Sequence, residues 1–193
     1  TMGNDVHSIG YNAFAECDSL TDVRFSPELK SIDGNAFDGC TSLETIELPS
    51  KVTVINGGAF RRCPIQSIKL PDSVKKIGFQ AFGETKVLSI VIPVGVNEVG
   101  WLGIPNLESL SVEEGNLYFD SRDNCNAIIN TSNNTLVMGC KNTVIPTSVE
   151  SIDRSAFSGS SLEQITIPET VLSIGNYAFD NCANLKTITF EGS

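Results

Sequence analysis

Histidine is almost missing from this chain of 193 residues, in which His7 is the only imidazole. Serine and cysteine nucleophiles commonly depend on a histidine base, so this scarcity excludes such an arrangement away from His7. The sequence also lacks any Cys-x-x-Cys pair, which is a common spacing in zinc sites. We therefore predict that the chain is not an enzyme and that it holds neither a metal nor a cofactor.

Basic side chains are scarce, and long apolar runs are missing. Lys and Arg number 13 against 23 Asp and Glu, which gives a net charge of −10. Nucleic acids and anionic lipid surfaces are bound by clustered basic residues, so we expect neither as a partner. No apolar stretch approaches the roughly 18 residues that span a bilayer, so we expect no direct membrane insertion.

What the sequence does contain is a repeat. The residues from 32 to 54 read Ile-x-x-x-Ala-Phe-x-x-Cys-x-x-Leu-x-x-Ile-x-Leu-Pro-x-x-Val, and the same pattern starts again at Ile55. An Ala-Phe pair recurs at steps of 23, 23, 22, 75 and 22 residues, ending at Phe14, Phe37, Phe60, Phe82, Phe157 and Phe179. Such self-similarity indicates a solenoid whose units bury their apolar sides against each other.

Each unit divides into recognisable segments. Residues 43–48 alternate apolar and polar side chains at their end, which predicts a half-buried strand. Pro49 cannot donate a ladder hydrogen bond and should end it. Residues 52–55 predict a second short extended piece, and the i, i+3 spacing of Phe60 and Cys63 predicts one helical turn.

Four of the six cysteines share one place in the repeat, three residues after its phenylalanine. A small, buried side chain suits that place, and a free cysteine packs as a small hydrophobe. We therefore expect reduced core thiols rather than cross-links at Cys17, Cys40, Cys63 and Cys182.

The repeat resembles the BspA-like leucine-rich repeats. The matching motifs are Ile-Gly-x-x-Ala-Phe at 77–82, Phe-x-x-Cys at 37–40 and Leu-x-x-Ile-x-Leu-Pro at 43–49. The resemblance implies a right-handed leucine-rich-repeat superhelix, a β-rich α/β solenoid of about eight units of 22–23 residues. It also implies a secreted or cell-surface bacterial protein whose role is protein binding or adhesion, with a protein or host surface ligand as partner.

We expect one solenoid domain over 1–193, with repeats at 1–112 and 144–193 and an irregular insertion at 113–143 that interrupts them. Neither end reads as a polar capping unit, so we expect the chain to be a piece of a longer array. Within this interruption, residues 125–130 and 135–140 predict a β-hairpin with a loop at 131–134.

The hairpin register would allow one disulfide. If Asn130 faces Thr135, continuing the register places Cys125 opposite Cys140, within bridging distance. Two packed thiols are the alternative, because a one-residue slip turns the side chains apart.

Two groups of residues are candidates for partner binding. One comprises outward positions of the repeat strands, where Arg24, Glu47 and Lys69 alternate in sign; the other places aromatic side chains beside charges in the interruption. The candidates are Asp22, Arg24, Thr45, Glu47, Ser67, Lys69, Val91, Tyr118, Phe119, Arg122 and Asp123. The first group could instead be cross-strand pairs on a bland sheet, and the second a cap where the repeat breaks.

Three functions stay open at this point. The favoured one is a non-catalytic binding module, and the alternatives are a structural spacer for a missing domain and a hydrolase acting on host glycans or peptides. Residues 120–124 place Asp and Asn at alternate positions but put Arg122 between them, which departs from a calcium loop.

Overall fold

The computed structural model describes Gly3 and residues 5–192. In that part of the chain the only helix is a 3-10 turn at Arg122–Asn124, and no helix has the length and apolar character to cross a membrane. The strands are short: β1 (Ser8–Ile9), β2 (Ser31–Ile32), β3 (Val54–Ile55), β4 (Lys76–Ile77), β5 (Ser89–Ile92), β6 (Glu98–Val99), β7 (Ser109–Val112), β8 (Phe119–Asp120), β9 (Ala127–Asn130), β10 (Thr135–Gly139), β11 (Ser151–Ile152), β12 (Gln164–Ile167), β13 (Ser173–Ile174) and β14 (Thr187–Phe190).

The repeat solenoid is confirmed, with about eight coils at a spacing of about 22 residues. The chain forms two compact units, Thr1–Val87 with Pro93–Ile104 (unit 1) and Leu88–Ile92 with Pro105–Ser193 (unit 2). The prediction of a single domain over 1–193 stays a prediction.

Unit 1 is built on a parallel sheet in the order β1-β2-β3-β4-β6. Each strand pairs two residues with the next coil, and the second residue of each pair points into the core. These residues, four isoleucines and Val99, form one column, in which Ile32, Ile55 and Ile77 are completely buried. The strands correspond to the second short extended piece of the repeat, so that prediction is confirmed.

Unit 2 contains a mixed sheet in the order β13-β11-β10-β9-β8 and two parallel pairs, β5–β7 and β12–β14. The predicted hairpin is present as the antiparallel pair β9–β10, and β10 also pairs in parallel with β11 of the next coil. The hairpin side chains Ala127, Ile129 and Leu136 are buried in the core of this unit. The interruption is therefore part of the packed structure of unit 2.

The turn segments are not helical, so the prediction of a helical turn is wrong. In the second coil the amides of Asn35 and Phe37 donate to the carbonyls of Gly57 and Ala59 in the third coil, at 2.9 and 2.8 Å. Amides between them close local turns within their own coil. Asn35 has a φ of +53°, which a right-handed helix does not allow. The i, i+3 spacing of the sequence thus records a series of β-turns.

The repeat phenylalanines stack into columns. The Phe37 ring lies 5.2 Å from Phe14 and 5.3 Å from Phe60, and the Phe60 ring lies 5.8 Å from Phe82, all nearly parallel. Phe37, Phe60 and Phe82 are fully buried, as expected for core residues, whereas Phe14 is 36% exposed. In unit 2, Phe157 stacks on Phe179 at 5.0 Å.

Three of the four repeat cysteines, Cys40, Cys63 and Cys182, donate hydrogen bonds between coils, whereas Cys17, predicted to be a core thiol, is exposed. The Cys63 thiol donates to the Phe37 carbonyl of the preceding coil at 3.0 Å, and the Cys40 thiol does the same to Phe14 at 3.1 Å. Burial raises the pKa of Cys63 to about 12. A protonated thiol at this place therefore fills the core and also satisfies a backbone carbonyl.

This geometry predicts that the buried thiols of the folded protein react slowly. At pH 8 a thiol with a pKa near 12 is ionised in only about one molecule in ten thousand, and the thiolate is the reactive form. We expect a disulfide reagent to modify the exposed Cys17 quickly and the buried cysteines only when the protein unfolds. Cys17→Ser is the control and should remove the fast phase. Fewer than six reactive thiols in urea without reductant would contradict the free-thiol assignment.

The hairpin register is confirmed near its loop and wrong beyond it. Asn130 faces Thr135 and Ile129 faces Leu136, as predicted, but a β-bulge between Leu136 and Met138 shifts every later pair by one residue. The extra residue changes which side chains oppose each other, so Cys125 no longer faces Cys140. The Cys140 thiol instead donates to the Asn126 carbonyl at 3.3 Å, and both cysteines are free.

Candidate functional site

The outward positions of unit 1 form one exposed face. Three successive extended segments, 22–25, 45–48 and 67–70, each place two side chains toward solvent and two toward the core. All six predicted positions of this group are exposed or partly exposed, namely Asp22, Arg24, Thr45, Glu47, Ser67 and Lys69. We call these six residues the outer face of unit 1.

The backbone beneath the outer face is unpaired. Among the residues that the structure describes, segments 22–25, 45–48 and 67–70 make no backbone hydrogen bond to each other or to other residues. By contrast, β5 and β7 in unit 2 pair over four residues, and so do β12 and β14. The predicted strand at 43–48 is therefore not part of a hydrogen-bonded ladder, and its one backbone bond to the next segment among the described residues is the 3.3 Å bond that the Gln66 amide donates to the Glu44 carbonyl. Its inward residues Ile46 and Leu48 are only half-buried.

Two grooves separate these segments. One of about 620 Å³ lies between the first and second segments and is lined by Arg24, Phe25 and Glu47, among others. A second of about 500 Å³ lies between the second and third segments, with Glu47 and Lys69 in its walls and Ile46 and Leu48 in its lining. Each groove combines charged walls with apolar surface, a composition suited to side chains of a partner.

The charges of the outer face are not paired between coils. Elsewhere in the described residues, opposite charges one coil apart form ion pairs of 2.5 to 2.9 Å: Lys51–Glu28, Arg61–Asp38, Lys76–Glu98 and Lys186–Glu163. Arg24, Glu47 and Lys69 are also one coil apart and alternate in sign, but no ion pair joins them in the described chain. Arg24 contacts Asp22 of its own coil, at 3.5 Å. The outer face thus keeps charges of both signs available.

Arg61, Arg62 and Asp38 illustrate the paired state in the same unit. Burial raises the pKa of Asp38, but hydrogen bonds from both guanidinium groups outweigh that effect and hold the pKa below its ordinary value. Arg62 also reaches Glu16 at 2.5 Å. These side chains, which follow the turn segments of three successive coils, therefore pair their charges within the fold.

The remaining predicted strand position, Val91, belongs to unit 2. It is 47% exposed and lies in β5, where the backbone pairs with β7. Unit 2 also has a groove of about 490 Å³ whose lining includes Thr166, Thr189 and Glu191. Thr166 and Thr189 are outward strand positions that are not among the candidate residues. The alternation of apolar and polar residues in the sequence is a signal that identifies such positions.

The candidate residues in the interruption differ in their exposure to solvent. Tyr118 is 50% exposed and Asp123 is exposed, whereas Phe119 is 6% exposed. The prediction that Phe119 contacts a partner is therefore wrong, because its side chain packs inward from β8. Leu117, two residues before Phe119, is 82% exposed but is not among the candidates, because an apolar residue in a run of apolar residues gives no signal of exposure.

Arg122 is bound within the protein. Its guanidinium donates to Asp120 at 2.7 and 2.9 Å, and a further bond of 2.9 Å reaches the Asn134 side chain in the hairpin loop. The hydrogen bonds to Asp120 raise the pKa of Arg122. Arg122 therefore fastens the segment around Asp120 to the hairpin loop and occupies the carboxylate that a calcium ion would need. In the described chain no three His, Cys, Asp or Glu side chains are grouped to hold a metal ion.

Comparisons with known proteins give one family and several structures. The family model described as "BspA type Leucine rich repeat region" matches residues 2–122 and 129–193 in 6 copies. No curated protein sequence matches the chain significantly.

Among solved structures, a leucine rich cell surface protein from Faecalibacterium prausnitzii is 32% identical, with a TM-score of 0.78 over 96% of this chain and 51% of that one. A leucine-rich repeat protein from T. pallidum is 26% identical over 94% of this chain and 72% of its own, with a TM-score of 0.61. The pneumococcal vaccine antigen PcpA shares the fold, with a TM-score of 0.68. It is 20% identical over 95% of this chain and 56% of its own. The chain thus spans about half the length of the Faecalibacterium protein.

Proposed function

Because the chain belongs to the BspA-type leucine-rich repeat family and is similar to a leucine rich cell surface protein from Faecalibacterium prausnitzii, we propose that it is a non-catalytic protein-binding module of a secreted or cell-surface bacterial protein. Its role would be adhesion through contact with a protein on another surface. The outer face of unit 1 would make that contact.

The observation that carries this proposal is the alternation in sign of Arg24, Glu47 and Lys69, which form no ion pair between coils in the described chain. A spacer has no use for unpaired charges beside grooves, when equivalent charges elsewhere are paired between coils. A hydrolase would hold its acid and base away from bulk solvent, whereas Asp22 and Glu47 both face solvent. A binding face needs charges that a partner can pair.

The geometry suggests the form of the partner. Adjacent coils of unit 1 are 5.3–5.8 Å apart where their phenylalanine rings stack, and the segments of the outer face, which no ladder holds together, can be spaced more widely. Residues i and i+2 of an extended peptide lie about 6.6 Å apart on one face, a comparable spacing. An extended segment crossing the coils with acidic, basic and acidic side chains on one face would therefore meet Arg24, Glu47 and Lys69 in turn.

A charge-inversion experiment tests the proposal. The peptide Ser-Glu-Ser-Lys-Ser-Glu-Ser complements the outer face, and Ser-Lys-Ser-Glu-Ser-Lys-Ser opposes it. Three exposed ion pairs of 0.2–1 kcal/mol each give the first peptide an advantage of about 1–2 kcal/mol, or roughly tenfold in Kd. NMR titration should detect this preference for the first peptide. The protein's net charge of −10 acts in the opposite direction, because the second peptide carries the net positive charge.

The variant Arg24→Glu/Glu47→Lys/Lys69→Glu should reverse the preference. Its matched control is Glu28→Lys/Lys51→Glu, which inverts one pair in the first two coils and leaves the outer face intact. Equal binding of both peptides, or a preference unaffected by the inversion, would reject the outer face as the binding surface. Absence of binding to either would favour the spacer.

A further inference from the structure

Leu117 and Tyr118 form an exposed apolar knuckle in the interruption. Their side chains are 82% and 50% exposed, and the next residue, Phe119, is buried at 6%. Phe119 begins β8, which pairs with β9 opposite Asn130. The knuckle is therefore anchored directly to the core of unit 2.

Hydrogen bonds from two side chains fix the backbone of the knuckle. The Asn116 side-chain oxygen accepts from the amides of Tyr118 and Phe119, at 2.9 and 3.0 Å. Thr131 in the hairpin loop donates from its hydroxyl to the Leu117 carbonyl at 2.9 Å, and from its amide to the Tyr118 carbonyl at 3.0 Å. Two amides and two carbonyls around the knuckle are thus satisfied from within.

The hairpin loop that supports the knuckle is itself held by side chains. The Asn130 side-chain oxygen accepts from the amide and hydroxyl of Ser132, at 2.9 and 2.7 Å, and that of Asn133 accepts from the Thr135 amide at 3.1 Å. A partner would meet two apolar side chains on a backbone that is already ordered. Preordered aromatic and apolar side chains are the usual anchors of protein interfaces, because little entropy is lost on binding.

The residues that lead into the knuckle are acidic. Glu113 and Glu114 lie on the turn that leads into it, which the Asn116 amide closes by donating to the Glu113 carbonyl at 3.3 Å. The nearby Arg122 guanidinium is bound to Asp120. Anionic lipid surfaces repel such a site, whereas a pocket with a basic rim attracts it.

We propose that the Leu117–Tyr118 knuckle inserts into an apolar pocket of a partner protein whose rim carries Lys or Arg. The tyrosine hydroxyl suits the polar rim of such a pocket while its ring enters the apolar part. This contact lies in unit 2 and does not depend on the outer face of unit 1.

Selection from a random dodecapeptide phage library against the whole chain tests the proposal. Peptides that recognise the knuckle should combine apolar residues with Lys or Arg and should bind Leu117→Ser/Tyr118→Ser at least tenfold more weakly. The matched control is Leu172→Ser/Tyr177→Ser, which removes a leucine and a tyrosine of similar exposure, 83% and 62%, from the same unit. The control should bind those peptides with unchanged affinity.

Three outcomes would overturn the proposal. One is enrichment of peptides that bind the knuckle variant and the wild type equally. Another is knuckle-dependent binding to vesicles of phosphatidylcholine with 20% phosphatidylserine, which would identify a membrane site. The third is a wild-type dimer in sedimentation that the knuckle variant abolishes, which would identify a second copy of the chain as the occupant. The charge-inverted outer-face variant should bind the selected peptides normally, so failure of the proposed function remains separable.

Discussion

Truncation of Phe37 to alanine is expected to lower the free energy of unfolding by about 3–5 kcal/mol, the usual cost of removing a core phenylalanine. The Phe37 ring is completely buried and contacts rings on both sides of its column, Phe14 at 5.2 Å and Phe60 at 5.3 Å. Phe25 adds an edge contact at 5.8 Å. Alanine would leave a cavity that two adjacent coils border, and the stacked neighbours cannot close it without leaving their own coils.

Urea unfolding measures this loss, and Phe14→Ala is the matched control. Phe14 occupies the same place in the repeat and stacks on one ring, but it is 36% exposed. We expect its truncation to cost less than half as much, because less apolar surface is withdrawn from water. Similar shifts of the urea midpoint for both variants would mean that the column does not stabilise the coils in the way its geometry suggests.

The sequence predicts the side-chain pattern of the solenoid better than its hydrogen bonds. Residues 45–48 and β5 share the same alternation of outward and inward side chains, but only β5 pairs with a neighbouring strand. Alternation reports which side chains are buried, and it contains no information on whether adjacent backbones approach to bonding distance. The grooves of the outer face follow from that missing ladder, so the sequence could predict its charges and not its grooves.

In the interruption, the sequence also fails to predict which single residues are exposed and which are buried. The apolar run at 117–119 places Leu117 and Tyr118 outside and Phe119 inside, whereas the aromatic content suggests that Tyr118 and Phe119 are the exposed pair. The side chain of Asn116 decides this by accepting two amide hydrogen bonds. In the hairpin, one bulged residue near Met138 changes the partner of Cys140. Both choices are made by local backbone geometry, which the apolar pattern does not record.

Gly139 explains how the interrupted coil joins the regular coils that follow. Its amide donates to the Ala156 carbonyl at 2.9 Å, as the Phe157 amide donates to Ala178 at 2.7 Å, so Gly139 takes the place of a repeat phenylalanine. A Cβ at Gly139 would overlap the Phe157 ring, which packs directly on this backbone. The hairpin thus ends the phenylalanine column of unit 2, because the Phe157 ring packs on the backbone of Gly139 and not on another ring.

Gly139→Ala is therefore expected to destabilise unit 2 by about 3 kcal/mol, the upper part of the range for overpacking. The cost is steric, because Gly139 does not have the positive φ that favours glycine. Phe157 is 1% exposed and stacks on Phe179, so its ring can yield only by disturbing the next coil. Gly10→Ala is the control, since a Cβ there meets nothing within 4 Å.

Hydrogen exchange measured by mass spectrometry should locate the effect of Gly139→Ala in β9, β10 and β11, where amide protection should fall. A double-mutant cycle with Phe157→Leu then tests the cause. Leucine is shorter than phenylalanine and leaves room for the added methyl group, so Gly139→Ala should cost at least about 1 kcal/mol less in that background, as expected for residues in contact. An equal cost in both backgrounds would show that the hairpin backbone itself requires the glycine, and that close packing against the Phe157 ring is not what ends the column.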